Sequence, residues 1–473
     1  MAYNFKSVDR ETCYLMPPSL REWLPATHLS WFIVATVETI DLSKFYAAYR
    51  SDGWGRAAFE PKMMTGLILY SYCLGEQSSR EIEKACEVDV AFRVVTGNSR
   101  PDHTTICRFR SEHEEALKGL FLEVLKLCRK GGLVKTGAIA LDGTKMKANA
   151  ALSANRDYEH LKKEVDRMFE AAKAKDAEED KLYGKDKRGD ETPAEWATPE
   201  GRLKWILEAK ARLEAEAAAE AAEQAEKIAK RQAEEEATGK KKRGRKPGEP
   251  DEKPKDDAKA NVTDPQSRIM KTRSGYVQGY NAQAAVTENQ IIVAAEVTQD
   301  CNDVGQLLPM VEKIAENLKA VGVSEAMETL LADAGYWSDA NMTGSNPAGP
   351  ELLIATNKDW KQRKAMREAP PPRGRIASDM TARERMERKL LTKRGRALYK
   401  LRGQTIEPTF GQIKDGRGCD GFMRRGVKAA DSEWSLLCTT HNLLKLWRSG
   451  KAKIRGFEAL LRPRPEIFAT VYA

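Results

Sequence analysis

A chain of 473 residues, 41% hydrophobic and 32% charged, can hold two or three domains with real cores and a solvated segment besides. Its eight cysteines are scattered without a CxxC pair, its N-terminus lacks an apolar h-region, and its longest apolar run, around Met63–Leu74, is too short to cross a bilayer. A structural zinc site, a secretory signal and a membrane span are therefore not expected, and a reducing cytoplasm is.

Residues 1–135 read as an all-helical domain. Pro61 to Leu74 reads as a mostly buried helix. Ser78-Ser79-Arg80-Glu81 begins another, with Ile82, Ala85 and Phe92 on one face and Gly97-Asn98 at its end. Asp102 caps a further helix through Ile106, Phe109, Leu117, Leu120, Phe121, Val124 and Leu127, stopped by Gly131-Gly132. Short helices with Arg80, Arg93, Arg100, Arg108 and Arg110 among them allow a helix-turn-helix-like DNA-binding unit. A helical packing domain with surface arginines is the alternative.

Residues 136–150 hold the first strand. Ala138–Leu141 is apolar, and Asp142 ends the run. An acid there is costly unless it is paired or binds metal, although Asp-Gly is also a turn signal. Lys145 and Lys147 follow and suit a nearby phosphate.

Residues 151–260 interrupt the strand pattern with a charged helical insertion. Thr198-Pro199-Glu200 starts a long helix reaching Gly239, rich in Ala and in paired charges and poor in large apolar residues. A basic arm follows, KKKRGRKPG, in which Arg243, Arg245 and Lys246 can reach DNA as a flexible minor-groove arm does. A solvated charge run is the alternative, and Glu249 to Lys259 reads as disordered.

Strands resume over 261–473. Tyr276–Val286 and Ile291–Val297 make a hairpin around a turn at Thr287–Gln290. A helix starts at Asp303 and runs through Leu308, Val311, Ile314 and Leu318. Thr329–Ala332 is a short strand ending at Asp333, and Glu351–Asn357 is the last strand. The order implies an α/β mixed sheet with helices on its faces. If the first and fourth strands lie parallel and adjacent, Asp142 and Asp333 meet at one sheet edge, where ligands of such sheets bind.

Positions 356–402 carry 16 Lys/Arg against 5 Asp/Glu within a net charge of +9. That balance suits a polyanionic partner, with a solvated basic linker as the alternative. The segment leads into YKLRGQTIEPTFGQIK, Tyr399–Lys414. A helix from about Gln404 would set Glu407, Phe410, Gly411 and Lys414 on one face, with Pro408 in its first turn.

Three ordered motifs, IALDGTK at Asp142, LLADAGYW at Asp333 and YKLRGQTIEPTFGQIK at Glu407, together with the strand GYNAQAAV, make the chain resemble a DDE transposase of a bacterial insertion sequence. The branch is the one marked by a Y-R-E-K signature and a helical N-terminal domain. The resemblance implies an RNase H-like catalytic fold in which Asp142, Asp333 and Glu407 bind two Mg²⁺ ions, with Mn²⁺ as a substitute. It implies that Tyr399, Arg402 and Lys414 contact DNA at the transposon end. Four residues separate Arg402 from Glu407 where the signature has three, so Arg396 or Lys400 is an alternative to Arg402. Trp337 can stack on an extruded base or simply pack at the sheet rim. The implied partners are double-stranded DNA, as terminal inverted repeats and target, and a second copy of the chain on that DNA, in the bacterial cytoplasm at the nucleoid. A structure-selective nuclease of the same fold, or a DNA-binding protein with a vestigial centre, are the competing functions.

Overall fold

The computed structural model describes residues 19–49, 57–165, 167, 199–239, 248–272, 275–346, 348–377 and 379–452. Arg243, Arg245 and Lys246 lie outside the described residues.

The N-terminal part is helical: α1 (Leu29–Thr39), α2 (Ser43–Tyr46), α3 (Pro61–Leu74), α4 (Ser79–Val88), α5 (Val90–Val95), α6 (His103–Glu112) and α7 (Glu114–Lys130). Helix α3 has Pro61 at its first position and ends on Gly75 at φ +88°, a left-handed conformation that glycine adopts without penalty. One long helix was expected after Asp102, but the chain breaks at His113 between α6 and α7. The imidazole there is buried, its Nδ1 is 2.9 Å from the Phe109 carbonyl, and its ring stacks on Phe109 and Phe45. That local packing outweighs helix continuation.

A six-stranded sheet follows. Its strands are β1 (Ala138–Lys147), β4 (Arg268–Thr272), β5 (Gly275–Thr287), β6 (Ile292–Thr298), β7 (Thr329–Ala332) and β8 (Glu351–Ile354). Strand β1 runs parallel to β7, which runs parallel to β8, while β1 pairs antiparallel with β5. The far edge of β5 is shared by β4 and β6, both antiparallel. The sheet is mixed as expected, with the strands that lead to Asp142 and Asp333 parallel and adjacent, and β4 is an edge strand that was not expected. Two short strands, β2 (Asn155–Asp157) and β3 (Lys259–Asn261), pair at the base of the insertion. Lys259 had been read as the end of a disordered stretch, but it forms β3. The long insertion helix α8 (Pro199–Thr238) carries Glu–Lys pairs one turn apart, such as Glu223–Lys227 and Glu226–Lys230. A small separate core of Leu161, Val165, Ile206, Ala209, Leu213 and Ala260 holds its first half.

Further helices are α9 (Leu307–Ala320), α10 (Asp339–Gly344), α11 (Asp359–Glu368), α12 (Ala382–Leu391), α13 (Lys393–Lys414) and α14 (Val427–Arg448). Helix α14 is buried along most of its length. It packs on α3 and α7 and on β6, so one continuous core joins the N-terminal helices to the sheet. Its buried Glu433 accepts from Tyr72 Oη (3.0 Å) and Gln77 Nε2 (3.2 Å), which ties that junction with polar bonds as well. Among the described residues no helix is long and apolar enough to cross a membrane.

Candidate active site

Register brings the first two acids together. The parallel pairing of β1 with β7 ends at Leu141↔Ala332, so Asp142 and Asp333 are the next residues on adjacent strands. Asp142 had been expected to end its strand, but β1 continues to Lys147, because β5 keeps pairing with it after β7 has stopped. Asp142 Oδ1 accepts the Gly143 N–H at 2.9 Å. Asp333 Oδ1 accepts the Gly335 N–H at 2.8 Å, capping a 3₁₀ turn. Both carboxylates thereby have one oxygen fixed by backbone and the other, Oδ2, turned to a shared partner.

That partner is on α13. The helix had been expected to start near Gln404, yet it starts at Lys393, after the N-cap Thr392 whose hydroxyl accepts the Gly395 N–H, and Pro408 stands deep inside it. Proline has no N–H to give the carbonyl four residues back. That carbonyl, Gln404 O, accepts instead from Gln290 Nε2 of the β5–β6 turn at 3.2 Å. The proline is thus tolerated because the sheet supplies the missing donor.

From the middle of α13 the Arg402 guanidinium reaches between the acids. Its Nη2 is 3.0 Å from Asp142 Oδ2 and 3.7 Å from Asp333 Oδ2, and its Nη1 is 3.6 Å from Glu407 Oε1. Arg402 had been expected to contact DNA; here it is buried and ion-paired with all three acids. Glu407 is half exposed and is also held by Arg363 Nη2 at 3.0 Å. Burial pushes the Asp142 carboxyl up to about 7, outweighing the lowering effect of Arg402, and the charge of Asp333 adds to the rise.

The other expected site residues are placed as follows. Lys414 donates to Thr144 Oγ1 (3.1 Å) and Lys145 O (2.9 Å), and burial lowers its pKa. It therefore clamps β1 just past Asp142. Lys145 donates to Cys301 O at 2.8 Å. Tyr399 is buried, and Trp337 is partly buried against the core. A groove of about 850 Å³ runs beside α13 toward Glu407, lined by Trp360, Arg363, Lys364, Arg367, Arg396 and Lys400 among others. Trp360 is 61% exposed.

A metal fit can be judged on this geometry. Among the described residues no three acidic, His or Cys side chains are close enough together to share one ion. The guanidinium stands between the three carboxylates as a stand-in cation, and an all-oxygen set of this kind suits a hard divalent ion. Asp142, Asp333 and Glu407 supply the donor type that such an ion takes, and as placed they hold Arg402.

Two family models match the chain. Residues 18–112 match a model described as a transposase domain, and residues 363–447 match one described as a transposase DDE domain. Both matches support a DDE transposase of the insertion-sequence type. No curated protein and no solved structure gives a significant match.

The second match runs from Arg363 within α11 through most of α14, including Arg402 and Glu407. The first covers α1 to α6. Two residues at the site were not picked out from the sequence. Arg363 was one basic residue among many, and no local signal separates it from its neighbours. Asp303 looked like a helix start, yet it lies against the glycines that follow Asp142 and Asp333.

Proposed function

We propose that this transposase performs cut-and-paste transposition, cutting at the ends of its element and joining them to target DNA. The observation that carries the reading is the convergence of Asp142, Asp333 and Glu407 on one buried cationic group, Arg402, at the end of two parallel strands. Asp142, Asp333 and Glu407 would hold two Mg²⁺ ions, or Mn²⁺ in their place. When bound, such ions polarise a phosphoryl oxygen and lower the pKa of water or a DNA 3′-OH.

The chain's own residues orient and shield this chemistry. Gly143 and Gly335 N–H groups fix the two aspartates, leaving Oδ2 of each toward the cation position. Arg363 steers Glu407. The groove beside α13 combines cations with the exposed Trp360, a combination that suits a phosphate backbone with a base free to stack. Tyr399, Lys414, Lys145 and Trp337 would act behind this surface, supporting the strands and helix that meet the DNA. Arg402 would turn to the DNA once ions replace it. The arm with Arg243, Arg245 and Lys246 would add nonspecific affinity, and two copies would act together on the two element ends.

The test mixes purified protein, Mg²⁺ or Mn²⁺ and a duplex bearing the element's terminal repeat. Wild type is expected to nick or cut at the repeat boundary, and Asp142→Asn, Asp333→Asn and Glu407→Gln to lose that activity while still binding the duplex. Cleavage by Asp142→Asn at the wild-type rate would defeat the assignment.

A further inference from the structure

Asp303 lies between β6 and α9, and its carboxylate is built into the floor of the site. Its Oδ1 accepts from Asn281 Nδ2 at 2.6 Å and Gln283 Nε2 at 2.8 Å, with Lys145 Nζ at 3.8 Å. A Cβ on Gly143 would come within 2.5 Å of that oxygen. One on Gly335 would come within 3.4 Å of Asp303 Oδ2 and 3.0 Å of Asp333 Oδ1. The glycines beside Asp142 and Asp333 thus leave room for the Asp303 carboxylate, and Gly143 for Gln283 Nε2 as well. Among the described residues no donor reaches Asp303 Oδ2.

Geometry gives this acid a side of its own. Asp142 and Asp333 turn their Oδ2 atoms to Arg402, while their Oδ1 atoms lie along the backbone of Gly143 and Gly335, next to Asp303. An independent observation is a buried acceptor at the same place. Asn281 is fully buried, and its Oδ1 has no hydrogen-bond partner. It lies 2.8 Å from where a Gly143 Cβ would be, beside Asp303 Oδ1. A buried acceptor left unpaired costs about 1–3 kcal/mol. Beside it lie Asp303 Oδ1, an oxygen of the type that hard divalent cations prefer, and the Gln283 Nε2 that donates to that oxygen.

We propose that Asp303 is a fourth carboxylate of the centre, helping to hold a divalent cation on the side of Asp142 and Asp333 away from Arg402. The inference rests on the reading of those aspartates as metal ligands. It assigns Asp303 the part of a positioning residue, and makes Asn281 and Gln283 its supports.

The test is a Mn²⁺ titration of the full chain without DNA, following the signal of free Mn²⁺ by electron paramagnetic resonance. Asp303→Asn keeps the shape of the side chain and an acceptor oxygen, so it is expected to melt near the wild-type temperature. It should bind Mn²⁺ about tenfold more weakly, the effect typical of an outer-shell partner, with Asp303→Glu recovering part of the loss. Wild-type Mn²⁺ binding by a folded Asp303→Asn would overturn the proposal. An Asp142→Asn control separates the two layers. If it weakens binding and Asp303→Asn does not, only the fourth acid fails; if neither weakens it, the metal centre itself fails. Should the Asn variant not fold, wild-type crystals soaked in Mn²⁺ decide. Anomalous density beside Asp303 supports the proposal, and density confined to the Arg402 side refutes it.

Discussion

Arg402 Nη2 stands 3.0 Å from Asp142 Oδ2, with the two side chains only 6% and 17% exposed. A cation from the middle of one helix thus neutralises an acid on the central strand. Glu407, five residues further along the same helix, shares that cation. Ordinary helical spacing would not put residues five apart on one face. The length of the arginine side chain bridges the difference.

Removing the guanidinium leaves Asp142 buried beside Asp333 without a counter-charge. Breaking a buried ion pair at one partner costs about 3–5 kcal/mol. Arg402→Met is therefore expected to melt well below wild type in metal-free buffer and to regain more stability from Mn²⁺ than wild type does. Thermal melts with and without Mn²⁺ check this. An equal gain from Mn²⁺ in both proteins would show that Arg402 and the ion do not share a position.

A second prediction concerns pH. The Asp142 carboxyl is pushed up to about 7 by burial, against about 3.9 in an unfolded chain. Between those values the folded state keeps a proton that the unfolded state has released, so stability falls as pH rises through the window. Metal-free wild type should lose stability between about pH 4 and 7, and Asp142→Asn should lose less. Urea melts across that range give the comparison, and parallel curves for the two proteins would contradict the assignment. Mn²⁺ affinity should rise with pH up to about 7, because binding displaces that proton.

Gly143→Ala tests the close approach at the site floor. Its Cβ would press on Gln283, on Asp303 Oδ1 at 2.5 Å and on Asn281 Oδ1 at 2.8 Å. Overpacking of this kind costs about 1–3 kcal/mol. The variant is expected to fold and to bind DNA, but to cleave poorly. Unimpaired cleavage by Gly143→Ala would mean that this contact has slack.

Where the N-terminal helices meet α14, Glu433 accepts from Tyr72, Gln77 and the Met423 and Arg424 N–H groups. Glu433→Ala strands these donors in the core and is expected to destabilise the chain by about 3–5 kcal/mol. Chemical denaturation measures it. Because one core spans the N-terminal helices and the sheet, both should unfold in the same transition.

Much of this was legible without coordinates. Asp142 and Asp333 each follow a short apolar run, and such runs become adjacent buried strands because nothing else buries them. The α13 motif was legible as a helical acid in basic surroundings, but its start was misplaced. Pro408 looks like a first-turn residue until Gln290 is known to satisfy the carbonyl it leaves open. The break at His113 was hidden for a similar reason, since it depends on ring stacking with Phe45 from the distant helix α2.

The linear order of residues, by its strand and helix periods and its Asp-Gly punctuation, determined the mixed sheet and the helical N-terminal part, and it singled out three acids that the fold brings to one arginine. Those features depend on neighbours within a few positions. Tertiary structure alone decided where the long side chains go. Arg402 turns inward to the carboxylates, Lys414 clamps β1, and Asp303 slips between two glycines on separate strands. Each of these outcomes is settled by contacts between segments far apart in the chain, where burial and charge pairing act and local periodicity carries no information.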